Sequence, residues 1–339
     1  MRGPATAARL VAVVATLGAL LAAAGVLGLG VGPSGLAPGE VLHALLGREG
    51  GVAGDIVLRV RLPRVVLAAL VGASLATAGT LFQALLRNPL ADPYVLGVSG
   101  GAALGGILAL TAGGALGLGY AAVPPASFAG AVATLLLLLA VAGRRGRLSP
   151  TTLLLVGVVF NAFASAAIVF LASSAGLAEG ARIFLWLIGN LSDARAEVAG
   201  AVALFLGLGL ACALPFARAL NLLALGEEPA AQLGVPVEAV RRLLLVATSL
   251  MVGAAVSVSG LIGFVGLIIP HLLRLAVGPD HRLLVPAATL GGAAFLVLCD
   301  TAARTVLAGR ELPVGAITAL VGGPLFLFLL HRAPRGLAE

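Results

Sequence analysis

Long apolar runs separated by short polar segments dominate this chain. A run of about 20 apolar residues can cross a bilayer as a helix. Lipid offers no hydrogen-bond partners, so a spanning backbone must satisfy itself internally, as a helix does. The sequence therefore predicts an all-α, polytopic membrane protein with about ten transmembrane helices in a single domain, residues 1–339. The runs are Ala8–Val31, Val65–Leu86, Val95–Ala112, Ala121–Ala142, Thr152–Leu171, Val198–Leu214, Leu243–Val258, Leu261–Val277, Leu283–Leu298 and Val314–Leu330.

Composition agrees with a membrane protein and excludes several functions. The chain is 60% hydrophobic and 10% charged, with a mean hydropathy of +1.13. Its basic residues are scattered between the apolar runs, which argues against a nucleic-acid-binding patch despite the net charge of +7. All 21 basic residues are arginine, so the chain lacks the lysine of a phosphate-binding loop. Cys212 and Cys299 lie in apolar runs and indicate neither a metal site nor a disulfide framework.

The distribution of arginine predicts the topology. Ten spans place both termini on one side of the membrane. The segments on that side hold 13 arginines and the segments on the other side hold eight. Because cytoplasmic loops are enriched in basic residues, we expect both termini to be cytoplasmic. The first run is too long for the core of a signal peptide and predicts a retained span.

Glycine and proline modify two of the predicted spans. The eighth run contains Gly263, Gly266 and Pro270, which predicts a kinked or partial helix. The third run contains Gly101 and Gly105 in GxxxG spacing. Small residues at this spacing let two helix backbones approach closely, so we expect a tight helix contact there.

A polar island, residues 218–242 (RALNLLALGEEPAAQLGVPVEAVRR), interrupts the apolar pattern. Glu227 and Glu228 before Pro229 suit a helix start. Gly234 and Pro236 suit a stop. The predicted helix, from about Pro229 to Leu233, is far too short to span a bilayer. This helix fits either a docking site for a soluble partner protein or an ordinary solvent-exposed loop.

Three further segments complete a recognisable pattern. They are residues 61–105 (with NPLADP and LGVSGGA), residues 259–286 (with GFVGLIIPH) and residues 311–315 (ELPVG). With LGEEPAAQLGV from the island, they closely resemble the FecCD-type permease subunits of type II ATP-binding-cassette importers. Those permeases carry iron–siderophore complexes, haem and cobalamin. The resemblance covers essentially the whole chain.

The resemblance implies a transport subunit and not an enzyme. It implies a homodimer around a central path in the bacterial cytoplasmic membrane, with two copies of a separate ATPase beneath it and a soluble binding protein on the outer side. ATP and Mg²⁺ belong to the ATPase, and this chain needs no cofactor. The expected substrate is a metal chelate, an iron–siderophore complex or haem first, with cobalamin as the alternative.

The resemblance also assigns cytoplasmic roles to particular residues. It implies a gate built from Asn88, Pro89 and Leu90 together with Ser149 and Pro150, although both segments also fit simple interhelical turns. It implies that Leu220–Val235 of the island match the family's coupling helices, which dock in a groove of the ATPase. The implied ATPase-coupling residues are Leu225, Gly226, Glu227, Glu228, Pro229, Ala230, Gln232, Leu233 and Gly234.

Asn161 and Ser165 lie four residues apart on one face of the fifth span, which is the path-lining span of the family. The alternative is an interhelical hydrogen bond. His271 follows Pro270, but a helix-end contact with the backbone is a commoner role for such a histidine than haem ligation.

Three arginines are expected on the outer side, where the topology rule gives no reason for them. By resemblance, Arg61, Arg64 and Arg304 match positions that pair with acidic residues of the binding protein. Arg61 and Arg64 flank Leu62-Pro63, which predicts a rigid turn that presents both of them. The alternatives are lipid headgroup contact or, for Arg304, a local pair with Asp300 four residues earlier.

Two other classes of membrane protein remain as rivals. An ion-coupled secondary transporter usually places ionisable residues near the middle of the membrane. The acidic residues of this chain lie in loops and at span ends, which counts against that class. The second class, a passive channel or a purely structural membrane protein, gives the polar island no function.

Overall fold

The computed structural model describes residues 6–47, 51–113, 117, 119–143, 148–192, 194–307 and 310–332. Regular structure within these residues is entirely helical, with a π-helix at Ile56–Arg61 and 3₁₀ turns at Pro93–Leu96 and Tyr120–Ala122. The α-helices are α1 (Ala7–Gly30), α2 (Pro38–Leu45), α3 (Val52–Asp55), α4 (Leu62–Leu85), α5 (Val98–Gly113), α6 (Val123–Ala142), α7 (Pro150–Ser174), α8 (Leu177–Leu187), α9 (Ala196–Ala213), α10 (Ala217–Leu223), α11 (Glu227–Gln232), α12 (Val237–Ser259), α13 (Val265–Val277), α14 (His281–Thr305) and α15 (Val314–Arg332).

The helices reproduce the predicted spans. In the described part of the chain, six helical segments are long and apolar enough to cross a membrane. The pair α9 and α10, bent by 63°, adds a seventh. The shorter apolar helices α5, α13 and α15 occupy the three remaining predicted runs. The prediction of an all-α protein with about ten spans is confirmed.

Helix α4 lies at the centre of the fold. In the most apolar window of the segment that contains it, 83% of the residues are buried, against 6% in α1 and 22% in α7. α4 packs against α9, α12, α13 and α14. The other helices therefore surround α4, while α1 and α7 expose most of their surface.

Glycine allows backbones to touch around α4. A Cβ atom on Gly79 would lie 1.9 Å from the carbonyl oxygen of Gly266 in α13. A Cβ atom on Gly72 would lie 2.3 Å from the carbonyl oxygen of Gly292 in α14. No side chain fits at these positions, and the small residues bring α4 into direct backbone contact with both neighbours.

The predicted tight contact of the third span is confirmed. A Cβ atom on Gly101 would lie 1.9 Å from Oγ1 of Thr134, and one on Gly105 would lie 2.3 Å from the carbonyl oxygen of Ala126. Both partners belong to α6, so the GxxxG face of α5 packs on that helix.

The eighth predicted span is a partial helix, as expected. α13 begins only at Val265, after a non-helical stretch at residues 260–263 and Phe264 with a positive φ of 69°. The hydroxyl of Tyr94 donates to the carbonyl of Ile262 and accepts from its N–H, both at 2.8 Å. This side chain supplies the partners that lipid cannot give to a non-helical backbone.

The rigid turn predicted at Leu62-Pro63 is wrong. The chain is helical from Val52 to Leu85, and the π-helix runs directly into α4. Pro63 has no N–H to donate, and the wider π turn before it, in which the N–H of Leu62 reaches the carbonyl of Val57, keeps the chain helical. The sequence analysis also missed α8, which lies between the fifth and sixth predicted spans.

Gly105→Ala is expected to lower the melting temperature of the purified protein in detergent. The added methyl group clashes with backbone, and overpacking of this kind costs about 1–3 kcal/mol. Gly18→Ala in α1 is the matched control, because nothing lies within 4 Å of its Cβ position. Equal melting temperatures for the two variants would show that α5 and α6 are not packed as described.

Candidate coupling and gating sites

The polar island folds into a capped helix outside the apolar spans. α11 starts at Glu227, two residues earlier than predicted, after Gly226 with a φ of 125°. It ends at Gln232, before Gly234 with a φ of 84°. Ala230 is buried and anchors the helix. The exposed residues of this segment include Leu225, Glu228, Pro229, Gln232 and Leu233.

The helix before α11 is fixed to the start of α14. The amide of Asn221 in α10 donates to Asp280 at 2.8 Å, and its oxygen accepts from the N–H of His281 at 2.9 Å. Hydrogen bonds from Arg282, then from Asn221, hold the pKa of the Asp280 carboxyl below its usual range. The island is therefore attached to the helix bundle by a charged and hydrogen-bonded contact.

Arg241, near the start of α12, lies directly behind α11. Its side chain is 4% exposed. One terminal nitrogen is 2.6 Å from Glu227, and the other is 3.1 Å from Glu238. The second nitrogen also donates to the carbonyl of Leu148 at 2.7 Å. From the sequence, Arg241 is only one of the 13 arginines that predict the topology, and no local signal predicts these contacts.

The first predicted gate segment is a tight non-helical link between α4 and the 3₁₀ turn at Pro93–Leu96. Arg87 has a positive φ of 50°. The side chain of Asn88 accepts from the N–H of Leu90 at 2.9 Å, and the N–H of Asn88 donates to the carbonyl of Gln83 at 3.1 Å. Pro89 and Leu90 are exposed. The geometry expected of this link is present, and its gating role stays a prediction.

The second predicted gate segment is the start of α7. The hydroxyl of Ser149 accepts from the N–H of Thr152 at 3.5 Å, and Pro150 occupies the first turn. Just before it, the N–H of Leu148 donates to Glu238 at 2.9 Å. Glu238 and Arg241 together therefore hold both polar groups of the Leu148 backbone.

Glu227 connects the island to residues beside both predicted gate segments. Its carboxylate is 2.6 Å from Arg241, which holds Leu148, and 3.7 Å from Arg87, which precedes Asn88. Glu227 therefore contacts Arg87 directly and is linked to Leu148 by way of Arg241.

Asn161 and Ser165, the predicted path-lining pair, lie in different environments. The amide of Asn161 donates to the carbonyl of Tyr94 at 2.8 Å, so Asn161 forms the contact that the alternative interpretation expected. Ser165, one turn further along α7, is exposed. The exposed surface of α7 also carries Leu155, Val159 and Phe163.

A cavity of about 470 Å³ opens at the far end of α7 from these gate segments. It lies among α5, α8 and the end of α12. Its polar and aromatic lining includes Tyr120, Glu179, Arg182, Trp186, Asn190 and Ser259.

The three outer arginines are buried, which contradicts the expectation that a turn presents them. Arg61, Arg64 and Arg304 are 3–5% exposed. Arg61 donates to the carbonyls of Leu29 and Gly30 and, at 2.6 Å, to the hydroxyl of Ser34. It thereby closes the outer end of α1.

Arg64 and Arg304 share one buried carboxylate. Asp300 is 3.0 Å from each of them, so the local pair expected for Arg304 is present. Arg64 also contacts Glu311 at 2.9 Å, and the Glu311 side chain is 48% exposed. Docking of a binding protein by these arginines stays a prediction, and it requires these internal contacts to break.

His271 lies in α13 with its ring edge-on to Phe326, at a centroid distance of 6.3 Å. Among the described residues, no three His, Cys, Asp or Glu side chains come together as metal ligands would.

Asp300→Asn is expected to destabilise the protein strongly. The change leaves two buried arginines without their shared counter-charge, and breaking a buried pair costs about 3–5 kcal/mol. Asp55→Asn is the matched control, because it removes an exposed pair with Arg59, in which the two side chains are 62% and 81% exposed, and exposed pairs contribute about 0–1 kcal/mol. Thermal unfolding in detergent measures both. Similar small shifts would show that the outer cluster adds little to stability.

Comparison with known proteins gives a consistent result. The model of the FecCD transport family matches residues 20–332. The cobalamin import system permease protein BtuC of Halobacterium salinarum is 46% identical over 81% of this chain and 73% of its own length. The hemin transport system permease protein HmuU of Yersinia pestis is 42% identical over 82% of this chain and 83% of its own length. A solved inward-facing structure of a metal-chelate type ABC transporter superposes with a TM-score of 0.85 at 32% identity, and covers 94% of this chain and 99% of that one.

Proposed function

Because this chain belongs to the FecCD transport family, a family of importer permeases, we propose that it forms the membrane path of an importer that brings a metal chelate into the cytoplasm. The chain is a multi-pass membrane protein and a transport permease. The observation that carries the proposal is α11, a short helix with an acidic start that lies outside the spans. It contacts Arg87, beside the first predicted gate segment, and Arg241, which holds Leu148 beside the second.

A separate ATPase supplies the energy in this proposal. The chain has no lysine and so no phosphate-binding loop of the lysine type. The exposed surface of α11 is then the ATPase contact, with Ala230 anchoring the helix from behind. ATP and Mg²⁺ are bound by that partner.

Two copies of the chain enclose the path. α7 leaves large apolar side chains uncovered, while α4 is almost completely buried. A second copy facing α7 would enclose Ser165 between the two subunits. A soluble binding protein would deliver the substrate from the outer side.

The positions of α1 and the island support an orientation of the chain in the membrane. The side chain of Arg9 near the start of α1 donates to the carbonyl of Val277 at 2.7 Å, close to Asp280 and the island. The N-terminal end of α1 and the coupling segment are thus on one side, which supports cytoplasmic termini.

The substrate is a bulky chelate, an iron–siderophore complex or haem first. The haem permease of Yersinia pestis supports this choice. Cobalamin is the second candidate, because the cobalamin permease of Halobacterium salinarum is 46% identical to this chain. A path for any of these needs walls that bind weakly, since a site that holds the substrate tightly cannot release it.

Ligand-stimulated ATP hydrolysis tests the proposal. The chain is reconstituted with its ATPase and binding protein, and hydrolysis is measured with an iron–siderophore complex, haem and cobalamin. We expect stimulation by one of these chelates and no hydrolysis by the chain alone. ATPase activity in the isolated chain, or no stimulation by any chelate, would contradict the proposal.

A glycine pair inserted after Ala230 is expected to abolish transport and reduce copurification of the ATPase, because it breaks α11. Membrane insertion should be unchanged, since α11 lies outside the spans. The same pair inserted after Gly35 is the control. Gly35 is exposed in the loop between α1 and α2, and nothing lies within 4 Å of its Cβ position. Normal transport in the Ala230 variant would rule out coupling through α11.

A further inference from the structure

Arg241 is a buried charge whose partners all belong to the segments assigned to coupling and gating. Burying a guanidinium is costly unless it is paired and hydrogen-bonded. Here the partners are Glu227 of α11, Glu238 of its own helix and the carbonyl of Leu148. A planar fork of donors lets one arginine hold several acceptors in a fixed geometry.

The backbone of Leu148 is held at two points. Its N–H donates to Glu238 at 2.9 Å and its carbonyl accepts from Arg241 at 2.7 Å. Leu148 immediately precedes Ser149, which caps α7. A displacement of the Arg241–Glu238 pair must therefore displace the start of α7.

Among the described residues, no backbone hydrogen bond connects α11 to α7. In the described chain, the backbone hydrogen bonds of residues 225–235 stay within residues 222–237. The ion pair of Glu227 with Arg241 thus joins α11 to the residue that holds the carbonyl of Leu148. The second link of Glu227, to Arg87 at 3.7 Å, joins two side chains that are 38% and 45% exposed. Exposed pairs of this kind are weak and screened by salt, so the contact through Arg241 is the stiffer of the two.

We propose that Arg241 is a positioning residue that transmits movement of α11 to the start of α7 at the cytoplasmic gate. This inference rests on the proposed function, because it assumes that an ATPase moves α11. Nε of Arg241 is buried with no hydrogen-bond partner among the described residues. An unsatisfied buried donor is unfavourable, which favours a second arrangement of the carboxylates around the guanidinium when α11 moves.

Arg241→Lys tests the link while keeping the charge. A lysine ammonium is a point charge on a flexible stem and lacks the planar fork that holds Glu227 and Leu148 together. Arg59→Lys is the matched control, since it makes the same change at an exposed arginine, paired with Asp55, outside the segments assigned to coupling and gating. The readouts are the melting temperature, copurification of the ATPase, basal ATP hydrolysis, and the amount of chelate transported per ATP hydrolysed.

We expect Arg241→Lys to assemble with the ATPase and to keep basal hydrolysis, but to transport about tenfold less chelate per ATP, within the usual range of coupling energies between sites. Arg59→Lys should match the wild type. A wild-type transport ratio in Arg241→Lys would overturn the inference. If wild-type complex itself shows no stimulated hydrolysis, the proposed function fails, which is a distinguishable result.

Glu238→Gln is the second variant, in case Arg241→Lys does not fold. It keeps an acceptor for the N–H of Leu148 and removes the charge that pairs with Arg241. A reduced transport ratio with normal assembly is the expected result. If both variants instead lose folded protein and ATPase binding together, Arg241 has a purely structural role and the inference is wrong.

Discussion

Direct backbone contact around α4 is the constraint on which this bundle depends. In lipid there is little hydrophobic drive between helices, so association relies on close packing and internal hydrogen bonds. Gly72 and Gly79 bring α4 against α14 and α13 at distances that admit no side chain. The loop that carries Asn88, Pro89 and Leu90 follows the end of α4, so its position depends on these backbone contacts.

Much of the fold could be predicted, because each span must be apolar over its own length. The partial helix α13 was also predictable, since Gly263, Gly266 and Pro270 are local signals. α8 was missed because it is short and lies between two spans, where hydropathy gives no boundary. The helical path through Pro63 was missed because a π turn is not visible in composition or spacing.

The candidate sites likewise include some features that could be predicted from the sequence and some that could not. α11 has its own start and stop signals within a few residues, so its existence could be predicted. The partners of the outer arginines could not, because Arg64 and Asp300 are 236 residues apart and meet only through the packing of α4 on α14. The role of Arg241 could not be predicted either. A basic residue next to a span is expected from the topology alone, and only the structure places Glu227 and Leu148 beside it.

Because of the π-helix at Ile56–Arg61, the packing of the outer segment depends on the exact number of residues in it. A π turn holds one more residue than an α turn, and each residue of a helix turns the chain by about 100°. Val57 packs with Val41 and Ala44 on one side of this turn, while Arg61 reaches α1 from its end. Deleting one residue here would restore α-helical winding and rotate everything before it relative to α4. Homologous chains that lack the extra residue would therefore have to close the end of α1 by a different contact.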